Sequence, residues 1–287
     1  MYPAKFDYAA PTSLDEALRL LQDPEAKILA GGHSLLPLMK LRLAQPKLLV
    51  DIGRIPCLNY VRAEDGQVAI GAMATYRQIQ AAPEVHQRVP MLAECVHEVG
   101  DPQVRARGTL AGSLAHADPA GDVPAAVLAL GGSVRAVSGS GEREISLDEF
   151  FVDMLTTALQ EGEIIREVRL QAHQPGAGGA YVKFDQPASH YALTGVAAVV
   201  ALDGNTLGSV RLGVTGVGPK AYRPMQIEQA LTGQPATEDA VRAAVEPIVD
   251  GIDVLGDIHA SPEYRSHLAR VLARRAILKA ADRARGS

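Results

Sequence analysis

Along the chain, apolar positions recur with two different periods. Leu14, Ala17, Leu18 and Leu21 follow at i, i+3, i+4 and i+7, the spacing of one buried helix face. Ser13 and Glu16 flank the start of that face as a capping box, each side chain satisfying an open backbone N–H, and Asp23-Pro24 ends the helix. Compact apolar runs at 27–30 and 48–51 predict short buried strands. Between them stand Gly31-Gly32-His33-Ser34 and an apolar stretch interrupted by Pro37. Further on, the pattern predicts strands at 67–70, 133–137, 143–145 and 164–170. It predicts helices at 91–99, ending at Gly100, and at 124–130, with Pro124 in the first turn. A glycine-rich, charge-poor segment, 108–120, separates the two helices.

Pro and Gly cluster without periodicity at 174–179, which reads as a linker. Strands at 181–184, 195–202 and 209–217 follow, then helices at 237–249 and from Ser261-Pro262-Glu263 past Lys279. In the last helix Tyr264, Leu268, Val271 and Leu272 are expected on one face. Strands and helices intermix without regular βα alternation, which favours an α+β fold over a doubly wound sheet.

Composition narrows the function. The 287 residues are 47% hydrophobic and 21% charged, as in a water-soluble globular protein of one large or two modest domains. The net charge of −5 argues against nucleic acid as main partner. Two cysteines, Cys57 and Cys95, cannot supply four ligands to an iron–sulfur cluster or structural zinc, and the expectation is two reduced thiols in a cytoplasmic protein. No apolar run reaches the length of a membrane helix, and the N-terminus carries no secretory pattern, so no stable membrane insertion is expected. The eight histidines show no metal-ligand spacing, so no metal site is expected. The chain also lacks the GxGxxG, Walker A, HExxH and GxSxG patterns.

Two glycine-rich segments carry candidate chemistry. In Ala30-Gly31-Gly32-His33-Ser34, adjacent glycines let successive N–H groups converge on one anion, and the Ser34 hydroxyl adds a donor. Gly108-Thr109-Leu110-Ala111-Gly112-Ser113 has the same ingredients. Each alone also fits an ordinary tight turn. Together they suggest a pyrophosphate held from two sides, with Asp118 and Asp122 downstream to accept from a ribose hydroxyl.

AGGHSLLPLMKLRLAQP (30–46), LVDIGRI (49–55) and GTLAGSLAHADPAGDVPA (108–125) resemble the FAD-binding medium subunit of the molybdenum hydroxylases, the group of aerobic carbon monoxide dehydrogenase and xanthine dehydrogenase. The resemblance extends over the whole chain. It implies a FAD-binding domain of the vanillyl-alcohol-oxidase (PCMH) type at 1–175, made of two α/β subdomains (about 1–55 and 56–175). A C-terminal domain at 180–287 would be a three-stranded antiparallel sheet packed with helices. Ala30, Gly31, Gly32, His33, Ser34 and Leu35, with Thr109, Ala111, Gly112 and Ser113, would cradle the pyrophosphate by backbone N–H groups. Asp122 matches a residue near the adenosine end, Lys183 a strand lysine close to the flavin, and Tyr191 an aromatic covering the isoalloxazine.

By the same resemblance no side chain here need be catalytic. The chain would be the electron-transfer subunit of an oxidoreductase, taking electrons from a [2Fe-2S] small subunit and passing them to an external acceptor. The molybdenum cofactor would sit on a large subunit, and two such heterotrimers would form a heterohexamer. Two departures stand out: Ala111 replaces a usual glycine, and 184–190 carries no Lys or Arg. The alternative is a stand-alone flavoprotein oxidase with its flavin bonded to His33, since the first loop also resembles the one those oxidases use.

Overall fold

The computed structural model describes residues 2–286. The chain opens with β1 (Asp7–Ala9), α1 (Leu14–Leu20), β2 (Ala26–Leu29), α2 (Leu35–Lys40) and β3 (Leu48–Asp51). The three strands form a parallel sheet with β3 in the middle, and parallel neighbours need the crossovers that α1 and α2 supply. The Ser13 hydroxyl accepts from the Glu16 N–H, and the Glu16 carboxylate accepts from the Thr12 N–H rather than closing the box on Ser13.

Next come β4 (Val61–Glu64), β5 (Gln67–Gly71), α3 (Tyr76–Ala81), α4 (Pro83–Arg88), α5 (Pro90–His97), α6 (Pro102–Arg107), α7 (Leu110–His116) and α8 (Asp122–Leu130). They lead into β6 (Gly132–Ser138), β7 (Gly141–Ser146), α9 (Leu147–Phe150), the hairpin of β8 (Phe151–Asp153) and β9 (Thr156–Thr157), and β10 (Ile164–Gln171). Here β4-β5-β10-β6-β7 make an antiparallel sheet. Its outer face holds Glu167, whose carboxylate is buried under Tyr60, Arg135 and Arg169. Burial pushes that group up, but these hydrogen bonds prevail and hold it at about 2.

The rest is β11 (Ala177–Asp185), β12 (Ala192–Asp203), β13 (Thr206–Thr215), α10 (Met225–Leu231), α11 (Glu238–Val245) and α12 (Pro262–Arg285). Antiparallel β11-β12-β13 has α12 on one face and α8 on the other. All nine residues of α8 are buried, the reason its sequence after Asp122 is apolar on every side. Both helices come close because glycines lie beneath them. A Cβ on Gly178 would overlap the Ala280 carbonyl, and one on Gly213 the Ala125 carbonyl.

Several expectations need correction. The 174–179 linker is shorter, because β11 begins at Ala177 and its glycines serve helix packing rather than flexibility. The glycine-rich 108–120 segment contains α7, whose N-terminus Thr109 caps. The 237–249 helix stops at Val245. On α12, Tyr264 is 41% exposed, and the buried face runs instead through Arg265, Leu268, Ala269, Leu272 and Ala276.

His173 follows β10 and packs against Gly179 with its Nε2 buried and unpartnered. Burial lowers its pKa from 6.5 to about 4. Its folded value lies below its unfolded one, so its contribution is present above pH 6.5 and fades as pH falls toward 4. His173→Leu is therefore expected to flatten the acid limb of stability by up to about 3 kcal/mol, read from urea midpoints between pH 7 and 4.

Candidate functional site

The two glycine segments, 78 residues apart at Gly31 and Thr109, meet in space. Gly31 follows β2 and packs its backbone against Gly108: a Cβ at Gly31 would overlap the Arg107 carbonyl oxygen and lie 2.9 Å from the Gly108 Cα. Gly32 takes φ +78°, a left-handed conformation that favours glycine and turns the chain toward α2. Ser34, at the start of α2, makes no capping bond, so its hydroxyl is not spent on the helix.

Between the segments runs a cleft of about 640 Å³, within the size range of small-molecule and cofactor sites. Ala30, Gly31, Gly32, His33, Ser34 and Leu35 line one wall, and Thr109, Ala111, Gly112 and Ser113 face them. Inside the second segment the Gly112 N–H donates to the Thr109 hydroxyl and the Ser113 N–H to the Thr109 carbonyl, so these two amides already have partners. Asp118, Asp122 and Tyr191 also line the cleft. Tyr191 is 45% exposed, and burial of its hydroxyl raises its pKa, keeping it protonated.

Lys183 is different. Its side chain is 4% exposed and lies behind the cleft, outside its lining. The ammonium donates to the Glu98 carbonyl at 2.7 Å, the His190 carbonyl at 2.7 Å and Asp122, whose Oδ1 is 3.1 Å away. Asp122 also accepts from the Tyr181 hydroxyl at 2.6 Å. Burial pushes the Asp122 carboxyl up to about 6, although Lys183 and Tyr181 both pull it down. The Lys183 contact to His190 joins β11 to the 186–191 turn, where Gln186 accepts from the Ala188 and Ser189 amides. That turn presents Tyr191 to the cleft.

A third wall escaped the sequence reading. Thr157, Leu159, Gln160, Glu161, Gly162 and Ile165, from β9 into β10, line the cleft, as do Asp23, Pro24 and Lys27 after α1. Glu163 stiffens the first of these segments by accepting from Arg143 at 2.6 Å and from the Gln160 N–H at 2.6 Å. The only signal in the sequence is the turn glycine Gly162, at φ +75°. Among the described residues, no three His, Cys, Asp or Glu side chains gather as a metal site. No helix there is long and apolar enough to cross a membrane.

The cleft fits a dinucleotide. Two glycine-bearing turns face each other, an uncommitted hydroxyl adds a donor, and carboxylates stand at the same wall.

Comparison with known proteins agrees. Residues 4–171 match the family profile described as the FAD binding domain in molybdopterin dehydrogenase, and 179–280 match the CO dehydrogenase flavoprotein C-terminal domain. The chain is 39% identical to the carbon monoxide dehydrogenase medium chain of Hydrogenophaga pseudoflava, covering 96% of this chain and 97% of that one. It is 38% identical to the nicotine 6-hydroxylase medium subunit of Paenarthrobacter nicotinovorans, at 96% and 97% coverage. Among solved structures, carbon monoxide dehydrogenase from H. pseudoflava superposes with TM-score 0.96 at 39% identity, covering 99% of both chains. Quinoline 2-oxidoreductase from Pseudomonas putida 86 superposes with TM-score 0.94 at 33% identity and 99% coverage of each.

Proposed function

The chain belongs to the FAD-binding medium subunits of the molybdenum hydroxylases, and from that premise we propose that it carries electrons between an iron–sulfur subunit and an external acceptor. The observation that supports this most is the cleft between the two glycine segments. When bound there, FAD supplies the exchange between one-electron and two-electron transfer.

In this reading the chain's own residues bind and orient. Backbone N–H groups of 30–35, those of the 109–113 segment that are not already bonded to Thr109, and the Ser34 hydroxyl hold the pyrophosphate, Asp118 and Asp122 stand near the adenosine half, and Tyr191 covers the isoalloxazine. Lys183 acts from behind, holding Asp122 and the turn that presents Tyr191. No residue is assigned an acid or base role. Residues 1–175 form the cofactor domain and 180–287 the second domain.

The partners are a [2Fe-2S] small subunit and a large subunit with the molybdenum cofactor, in a cytoplasmic assembly of two heterotrimers. Purifying the chain by a single tag, after expression with the reading frames beside it, is the test. Two further chains, molybdenum, iron and flavin are expected together, with the flavin absorbance bleached by the complex's reducing substrate. A chain that purifies alone, without iron or molybdenum, would contradict the assignment.

His33 is exposed at the cleft and is the residue through which a covalent flavoprotein would act. Acid precipitation is expected to leave the flavin in the supernatant; a yellow pellet would favour the stand-alone oxidase.

A further inference from the structure

The turn from α7 into the first residue of α8 bears two of the cleft's carboxylates, Asp118 and Asp122, and it is held from outside its own domain. Three successive carbonyls point to the C-terminal sheet. Pro119 accepts from the Gly216 N–H at 2.7 Å, Ala120 from the Ala192 N–H at 3.3 Å, and the Thr215 hydroxyl lies 2.8 Å from the Pro119 oxygen and 2.7 Å from the Gly121 oxygen. With its carbonyls engaged on that side, the segment turns Asp118, Gly121 and Asp122 to the cleft. Inside it, the Asp118 side chain accepts from the Ala120 N–H at 2.9 Å and its carbonyl from the Gly121 N–H at 3.0 Å.

The anchor is itself built. Thr215, the last residue of β13, is fully buried. A valine would serve the strand equally well, so the hydroxyl answers to the loop and not to the sheet. Gly216 has φ +79°, and a Cβ there would meet the Leu193 carbonyl oxygen at 2.6 Å. From the far side Arg265, also buried, donates to the Leu193 carbonyl at 2.5 Å and the Gly216 carbonyl at 2.6 Å. A continuous hydrogen-bonded path therefore runs from α12 through the ends of β12 and β13 to the cleft.

We propose that Thr215 is a positioning residue for the cofactor site, setting the 118–122 segment through the Pro119 and Gly121 carbonyls without touching the ligand. The proposal rests on the flavin reading for its consequence, though not for its geometry. Removing the hydroxyl takes away the single donor shared by the Pro119 and Gly121 carbonyls; Pro119 keeps the Gly216 N–H, the Gly121 carbonyl loses its partner, and the segment is freed to move. Removing only the methyl leaves the donor in place.

Thr215→Val and Thr215→Ser in the full chain, expressed with its partner subunits, are the test. Two readouts are taken: deuterium uptake by the amides of 118–122, and the dissociation constant for FAD, followed with the flavin circular dichroism. The valine variant is expected to exchange at least tenfold faster in that segment, to bind FAD about tenfold more weakly and to show an altered flavin dichroism. The serine variant is expected to restore all three. Wild-type exchange and affinity in the valine variant would overturn the proposal, and so would equal damage in the serine variant, which would show a packing role. If the wild-type protein holds no FAD, the flavin reading fails, while the exchange rates still decide whether Thr215 holds the segment.

Discussion

Replacing Gly31 by alanine is expected to strip FAD from the protein. The new methyl would overlap the Arg107 carbonyl and crowd the Gly108 Cα at 2.9 Å. Both neighbours are backbone, so no side chain can swing aside, and the two glycine segments must part. On the proposed reading, a pyrophosphate between them would lose the donors of one side. Affinity should fall at least hundredfold, about 3 kcal/mol. Gly139→Ala is the control, since nothing lies within 4 Å of the Cβ position there. Flavin absorbance per chain after gel filtration reads the outcome. Circular dichroism distinguishes a folded chain lacking flavin from an unfolded one. A folded Gly31→Ala protein with full flavin occupancy would remove the pyrophosphate from this cleft.

The second large effect is expected at the pair behind the cleft. Lys183→Met leaves Asp122 buried with only the Tyr181 hydroxyl as partner. Breaking a buried pair in this way costs about 3–5 kcal/mol. The cost should depend on pH. In the wild-type protein burial raises the Asp122 pKa above its unfolded value to about 6, so this group's contribution is fully present below about pH 4 and is lost as pH rises through 6. Without Lys183 the folded value climbs further, and the loss continues beyond pH 6. The variant should therefore lie closest to wild type near pH 5 and furthest from it near pH 8. Asp122→Asn in the same chain should recover much of the deficit, because the stranded charge is gone. A deficit that does not change with pH, or that the double variant does not relieve, would place the lysine's importance elsewhere. The single variant should also alter the flavin spectrum, since the turn bearing Tyr191 loses its tether at the His190 carbonyl.

Local patterns revealed elements where one short stretch carries its own reason. The start of α1 was legible because Ser13 caps it; the central strands of both antiparallel sheets were legible because their apolar runs are compact, whereas the edge strand β4, VRAE, has no such run and was missed. The two glycine segments were legible as chemistry because adjacent glycines and hydroxyls are informative before any fold is known. What stayed hidden depends on distant neighbours. Gly178 and Gly179 look like linker residues until α12 and His173 lie against them. The wall at 157–165 has no motif, because it contributes shape rather than donors. Lys183 reads as a strand lysine, and nothing local says that its ammonium is enclosed by the Glu98 and His190 carbonyls and the Asp122 carboxylate. The cap at Thr109 was concealed by glycine at 112, which lowers helix propensity yet sits within the first turn of α7.

The most direct test of the account is the flavin content of the protein purified with its partner subunits, extracted by acid and resolved by chromatography. The account predicts one FAD per copy of this chain, released without covalent attachment. A preparation with no flavin, or with FMN in its place, would contradict it, because FMN lacks the pyrophosphate that the proposal places between the two glycine segments.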